Sequence, residues 1–144
     1  MEKLISCAVF YTNKKQFLAV HPTNDSPTYW DLPKGVNEQT ESFEETAVRE
    51  FNEEVGILLN KNSLQKLGLF KLHEDKDIII YIYVVPELPS INSMKCSSMT
   101  NAYGKPIEEI DKYKYFNINE FRKLRKELHK HYYRIIDKLG IELN

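Results

Sequence analysis

Cysteine is scarce: Cys7 and Cys96 are the two thiols in 144 residues. They lie far apart and form neither a CxxC pair nor a metal-ligand cluster, which argues against a disulfide scaffold or a cysteine zinc site. Free thiols in a reducing cytosol are the simplest reading. No apolar stretch approaches the roughly 18 to 20 residues that a membrane-spanning helix needs. The N-terminal apolar run ends in Tyr-Thr-Asn-Lys-Lys with no small-residue cleavage site, so it reads as a strand and not as a signal peptide. A charge excess is missing too. The formal net charge of -1 argues against a surface built mainly to hold a nucleic-acid backbone. Repeats and low-complexity segments are absent. A cytoplasmic protein without a membrane partner is the expectation.

What is present is ordinary globular composition, 42% hydrophobic and 28% charged, enough to build one domain over residues 1–144 without staples. Leu4 to Tyr11 and Gln16 to His21 are β-prone runs separated by a polar turn of hairpin length. A loop with two prolines leads into the short apolar stretch Tyr29 to Leu32, and Pro33-Lys34-Gly35 breaks the chain again. Glu41 to Val55 holds no proline or glycine, and Gly56 follows as a helix stop. Leu64 to Leu72 and Asp77 to Pro86 read as strands, the second apolar enough to be buried on both faces. Glu87 to Pro106 reads as a long loop, functional or mobile. Tyr113 to Phe116 is a short strand. A final helix runs from Asn117 or Asn119 to about Leu139, closed by Gly140, with Phe121, Leu124, Leu128, Tyr132, Ile135 and Leu139 as its apolar stripe. Strands mixed with two helices predict an α/β fold with a mixed sheet covered by helices.

The informative stretch is Gly35 to Ile57. Projected at about 100° per residue, Glu50, Glu53 and Glu54 share one sector of the predicted helix. Ala47, Val48, Phe51 and Val55 take a roughly opposite, apolar one. Carboxylates at these spacings repel by a few tenths of a kcal/mol per pair in an isolated helix, on the order of what a divalent cation would remove. Magnesium, hard and oxygen-loving, is commonly held by one or two carboxylates with substrate phosphates and water. Metal so placed lowers the pKa of a bound water and neutralises phosphate charge, which makes metal-assisted hydrolysis the implied reaction. Arg49 sits beside this sector and suits the task of orienting a glutamate, with Glu45 as a second possible partner. An acidic, solvated helix face is the bland alternative.

The full spacing decides between them. Gly35, Glu41 after five residues, then Arg49-Glu50-Phe51-Asn52-Glu53-Glu54-Val55-Gly56-Ile57 after seven more, resembles the Nudix box G-x5-E-x7-R-E-U-x-E-E-x-G-U. Only the first U departs, being Phe51 and not an aliphatic residue; Phe51 projects to the buried side, so Phe51→Leu is expected to keep activity. The resemblance implies a Nudix-type α/β/α sandwich with a mixed β-sheet between helices. It also implies Glu50, Glu53, Glu54 and the Gly35 carbonyl as ligands of Mg2+, with Mn2+ as a substitute, and Arg49 and Glu41 as supports. Trp30-Asp31-Leu32-Pro33-Lys34-Gly35 is similar to the W-x-x-P-K-G entry of dinucleoside polyphosphate hydrolases, which makes Lys34 a candidate phosphate contact. The segment from Glu109 resembles, more loosely, the place where some Nudix enzymes keep a distal base. The candidate general bases are therefore Glu53, Glu109 and Glu108.

Trp30, Tyr29, Tyr81 and Tyr83 are candidates for holding a base, or simply core aromatics. Tyr81 and Tyr83 share one strand face by alternation. His129 and His131 do not share a helix face and make poor metal ligands. Lys123, Arg125, Lys126, Lys130 and Arg134 form a basic run that is either a solvated face or an attraction for RNA. Downstream of the box, His73, Glu74 and Asp75 stand where dinucleoside tetraphosphate hydrolases usually carry a tyrosine, and no other substrate signature replaces it. The expected substrate is a nucleotide of dinucleoside polyphosphate type. An RNA 5′ end and a non-catalytic nucleotide sensor are the alternatives.

Overall fold

A computed structural model describes residues 3–142; Met1, Glu2, Leu143 and Asn144, part of the expected 1–144 domain, lie outside the described residues. Strand β1 (Leu4–Thr12) turns through Asn13–Lys15 into β2 (Gln16–Pro22), with the Asn13 side chain accepting the Lys15 and Gln16 N–H groups. A three-residue strand β3 (Lys34–Val36) leads to helix α1 (Phe43–Val55). Strands β4 (Gln65–His73) and β5 (Lys76–Val84) follow, then a hairpin of β6 (Met99–Ala102) and β7 (Lys105–Glu108), then β8 (Ile110–Asn117) and helix α2 (Tyr132–Leu139).

The main sheet runs β4-β5-β1-β2-β8. It is mixed, because β1 and β5 pair in parallel while the other pairs are antiparallel. On the side of β1 away from β5, the start of the strand pairs with β3, Ser6 opposite Val36 and Ala8 opposite Lys34, whereas only its end pairs with β2. The predicted chain break at Pro33-Lys34-Gly35 is thus a strand lodged beside β1, and the stretch Tyr29 to Leu32 contributes only isolated bridges from Trp30 and Asp31.

Alternation along the strands sends side chains into two cores. Cys7, Val9, Tyr11, Ile79 and Tyr81 face α1, where they meet Ala47, Phe51 and Val55. Ala8, Phe10, Phe17, Ile78, Ile80 and Ile82 face the C-terminal segment. Both faces of β5 are covered, which explains its nearly continuous apolar sequence. The layers are those of the predicted α/β/α sandwich.

Two expectations need correction. The final helix is not continuous: 3-10 segments Ile118–Lys123 and Lys126–His131 precede α2, with an extended break at Leu124 and Arg125. There the chain also bonds outward, as the Arg125 N–H donates to the Trp30 carbonyl at 2.9 Å and the Arg125 guanidinium reaches the Asp31 carboxylate at 3.2 Å. The apolar stripe survives the break, since Phe121, Leu124, Leu128, Ile135 and Leu139 are all buried. The long loop after β5 also has structure. The β6–β7 hairpin turns at Tyr103 and Gly104, both with positive φ, a pairing that matches the right-handed twist of two strands.

The Arg125–Asp31 pair is nearly shielded from water, with side chains 11% and 5% exposed. Arg125→Ala leaves the buried Asp31 carboxylate with the more distant Lys34 ammonium, at 3.6 Å, and is predicted to cost about 2 kcal/mol. Urea unfolding checks this; a loss under about 1 kcal/mol would mean that the pair does not hold the break in place.

Candidate active site on the first helix

Helix α1 starts at a capping box in which the Ser42 hydroxyl accepts the Glu45 N–H and the Glu45 carboxylate accepts the Ser42 N–H. Glu45 is therefore committed to the cap and is not the partner of Arg49. At the other end Gly56 adopts φ 79° and donates to the Asn52 carbonyl. Further end carbonyls are capped from outside the helix: Ser97 N–H donates to Glu53 O at 2.7 Å and Lys95 N–H to Val55 O at 3.0 Å. The Tyr113 hydroxyl donates to Glu54 O. This capping draws the segment 95–98 against α1, and Glu109 N–H donates to Ser98 O at 3.0 Å. The chain after β5 thereby carries Glu109 to the helix.

Arg49 organises the carboxylates. Its Nε and Nη2 bond both oxygens of Glu41 at 3.0 and 2.6 Å, its Nη1 bonds Glu50 at 2.9 Å, and Nη1 approaches both Glu53 oxygens at 3.4 Å. Glu41 also accepts from the Thr46 hydroxyl at 2.7 Å. Hydrogen bonds from Arg49 first, helped by Thr46, hold the Glu41 carboxyl down at about 2. The same contact with Glu41 keeps Arg49 firmly charged.

Glu54 is the opposite case. It is 6% exposed, and its Oε1 accepts the Lys34 backbone N–H at 3.2 Å. Burial pushes its carboxyl well above the usual range, with Glu50 and Glu109 adding like charge. Burial likewise raises Glu50, against the pull of Arg49, and raises Glu109, which also senses Glu53. A cavity of about 480 Å³ brings together Glu50, Glu53, Glu54, Glu109, Lys34 and Gly35. Gly35 has no positive φ to explain it. Its Cα lies so close to the Glu50 carboxylate that a Cβ would occupy the same space.

Other candidates fall elsewhere. Glu108 is exposed on the hairpin opposite Met99. Tyr83 does not line the carboxylate cavity: its ring stacks on Tyr11 at 5.8 Å and its hydroxyl accepts the Asn60 N–H, on the side of the sheet that packs against α1. Tyr81 donates to Glu44 and is buried. Trp30 lines a separate cleft. Phe51 is fully buried against Tyr11. His131 is buried on Phe70, and His129 bonds the Leu124 carbonyl, so neither belongs to the site. Sequence reasoning missed Ser6 and Lys76, which also line the cavity. A serine and a lysine on strands carry no motif. Burial, then Lys34 and Arg125, lower the Lys76 ammonium, which places it within reach of the same field.

The donors are hard oxygens, which fit Mg2+ or Mn2+. Among the described residues no three acidic, histidine or cysteine side chains converge on one point. The reason is local: Glu50 is turned to Arg49 and Glu54 to the Lys34 N–H. Such a cluster fits a cation shared with substrate phosphates and water better than one caged by protein alone.

A mixed sheet between helices thus carries a glutamate-bearing helix that shares one cavity with Lys34. Comparison with known proteins names the family: the NUDIX domain matches residues 2–139, and the chain belongs to it. An uncharacterized 17.7 kDa protein in the e-segB intergenic region of Enterobacteria phage T4 is 32% identical over 120 residues, covering 77% of this chain and 80% of that protein. The NUDIX domain of Shewanella oneidensis NrtR, solved with ADP ribose, superposes with a TM-score of 0.70 at 14% identity over 96% of this chain and 90% of that one. A bifunctional NMN adenylyltransferase/ADP ribose pyrophosphatase from Francisella tularensis, solved with AMP and a Mn ion, gives 0.63 at 18% identity over 96% of this chain. This chain spans 41% of that longer protein. No helix among the described residues is long and apolar enough to cross a membrane.

Two outcomes are expected. Gly35→Ala displaces only the end of the flexible Glu50 side chain, so it should leave the Tm within a few degrees while weakening Mn2+ binding, read by paramagnetic resonance, by tenfold or more, about 1.4 kcal/mol. Unchanged Mn2+ affinity would separate Glu50 from the metal. Glu54→Gln should raise the Tm of metal-free protein at neutral pH. A carboxyl whose folded-state pKa is raised costs stability as pH climbs from its unfolded value, about 4.3, and the cost is complete above the folded pKa. The gain should therefore vanish near pH 4; a gain independent of pH would contradict the buried charge.

Proposed function

We infer that the chain, as a Nudix hydrolase, acts on pyrophosphate bonds. We propose that its substrate is a nucleoside diphosphate linked to a second group, foremost a dinucleoside polyphosphate, and that Mg2+ is its metal. The observation that carries this reading is the single cavity in which Glu50, Glu53, Glu54 and Glu109 stand with Lys34. Support comes also from the W-x-x-P-K-G segment that delivers Lys34. ADP ribose and AMP, the ligands of two structural relatives, contain the same nucleoside phosphate unit.

Glu50, Glu53 and Glu54 would hold the cation together with substrate phosphates, with Arg49 fixing the first two. When bound, it would supply charge neutralisation and acidify a water. The chain's own groups do the rest. Lys34 offers an ammonium to the phosphates. Glu109 is the base: its carboxyl faces the same cavity, and burial raises its proton affinity toward the working pH. Water attacks phosphorus, its proton passes to Glu109, and the bond from phosphorus to the bridging oxygen breaks. Two phosphate-terminated products leave. Glu53, reached only loosely by Arg49 at 3.4 Å, is the remaining candidate for that proton.

The test is turnover of dinucleoside polyphosphates, ADP-ribose, nucleoside triphosphates and 5′-triphosphate RNA with Mg2+, beside Glu53→Gln and Glu109→Gln. Dinucleoside polyphosphates should be cleaved best. Glu53→Gln should lose about 10²-fold or more in kcat, and Glu109→Gln a similar factor together with the acidic limb of the pH profile. Preferential cleavage of triphosphate RNA or of nucleoside triphosphates would overturn the substrate assignment.

A further inference from the structure

A second cleft, about 580 Å³, is distinct from the carboxylate cavity. It lies between the segment before β3, strand β8 and the interrupted C-terminal segment. The break at Leu124 and Arg125 borders it, bonded to the Trp30 backbone. One wall is aromatic. Tyr29 and Trp30 are half-buried there, and the Trp30 ring meets Phe116 edge-on at 5.5 Å. That wall is anchored, since His21 bonds Asp111 at 2.6 Å and the Ser26 carbonyl at 2.9 Å while its ring supports Trp30.

The rim is cationic. Lys114, Arg122 and Lys126 are exposed on it, and none has an acidic partner within ion-pair distance among the described residues. Glu127, the one acid among the lining residues, is already engaged by Arg125 Nε at 2.8 Å. In a chain of net charge -1, such a concentration of unpaired cations is local. Rings beside free ammonium and guanidinium groups suit a ligand that is aromatic and anionic at once: bases stack on aromatic side chains for about 1 to 3 kcal/mol each, and Arg suits phosphate. The cleft also communicates with the catalytic helix. Arg125 pairs with Asp31, the Lys34 ammonium lies 3.6 Å from the same carboxylate, and the Lys34 N–H bonds Glu54.

We propose that this cleft seats the nucleoside monophosphate unit at the far end of the substrate, its base against Tyr29 and Trp30 and its phosphate on Arg122 and Lys126. The assignment rests on the two-ended substrate proposed above, but its test does not require turnover. Trp30 is the only tryptophan, so its fluorescence reports on the cleft directly. Titration of AMP into the full chain in EDTA should quench it saturably, with calorimetry reading the same binding. The double variant Arg122→Glu/Lys126→Glu should weaken AMP at least tenfold and keep the wild-type circular dichroism spectrum. Glu53→Gln should bind AMP as wild type does. In turnover, the double variant should raise KM for a dinucleoside polyphosphate and leave kcat nearly unchanged. Absence of both quenching and heat, equal competition by inorganic phosphate alone, or loss of binding in Glu53→Gln with retention in the double variant would each overturn the proposal. Failure of hydrolysis with AMP binding intact would instead count against the substrate reading.

Discussion

The Arg49 guanidinium is the contact on which the site depends. A helix that carries Glu50, Glu53 and Glu54 on one sector gathers like charge. A planar cation with donors in a fixed fork can hold several carboxylates apart while bonding each. Arg49 does so: bidentate to Glu41, single to Glu50, loose to Glu53, and with one donor to the Val36 carbonyl of β3 at 3.3 Å. That last bond ties the helix face to the strand which carries Lys34 and Gly35. Glu41, before the helix, takes the strongest share and so stays ionised, which leaves the carboxylates further along freer to meet a cation.

The rest of the site follows from where β3 lies. Because it pairs with the start of β1, Gly35 passes beneath Glu50 and the Lys34 N–H reaches the buried Glu54. A side chain at position 35 would conflict with the carboxylate, so glycine is needed for closeness and not for backbone freedom. Below the helix, Phe51 fills the core against Tyr11, and this apolar face fixes the azimuth at which the glutamates project.

On the opposite side of the sheet a buried ion pair shapes the surface. Asp31 draws Arg125 inward, and Trp30 accepts its N–H, so the C-terminal segment leaves helical geometry at that point. The apolar spacing remains valid because side chains before and after the break still fall on the sheet. The break also turns part of the basic run away from a simple solvated helix face and onto the rim of a cleft.

Much of this is legible in the residues themselves. The helix follows from the proline- and glycine-free stretch Glu41 to Val55 with its stop at Gly56, the central strand from the run Ile78 to Tyr83, and the carboxylate sector from the spacing of Glu50, Glu53 and Glu54, because helical and strand periods are properties of neighbouring residues. Proximity between distant segments is not such a property. The meeting of Glu109 with the helix depends on end carbonyls of α1 being capped by residues 95 and 97. The withdrawal of Tyr83 depends on a stack with Tyr11, and the interruption near Leu124 on a partner at Asp31. Local sequence determined which chemistry the helix can carry. Tertiary structure alone decided which remote groups share its cavity, since hydrogen bonds and ion pairs across the fold outweigh the weak local preference for a continuous helix or an open loop.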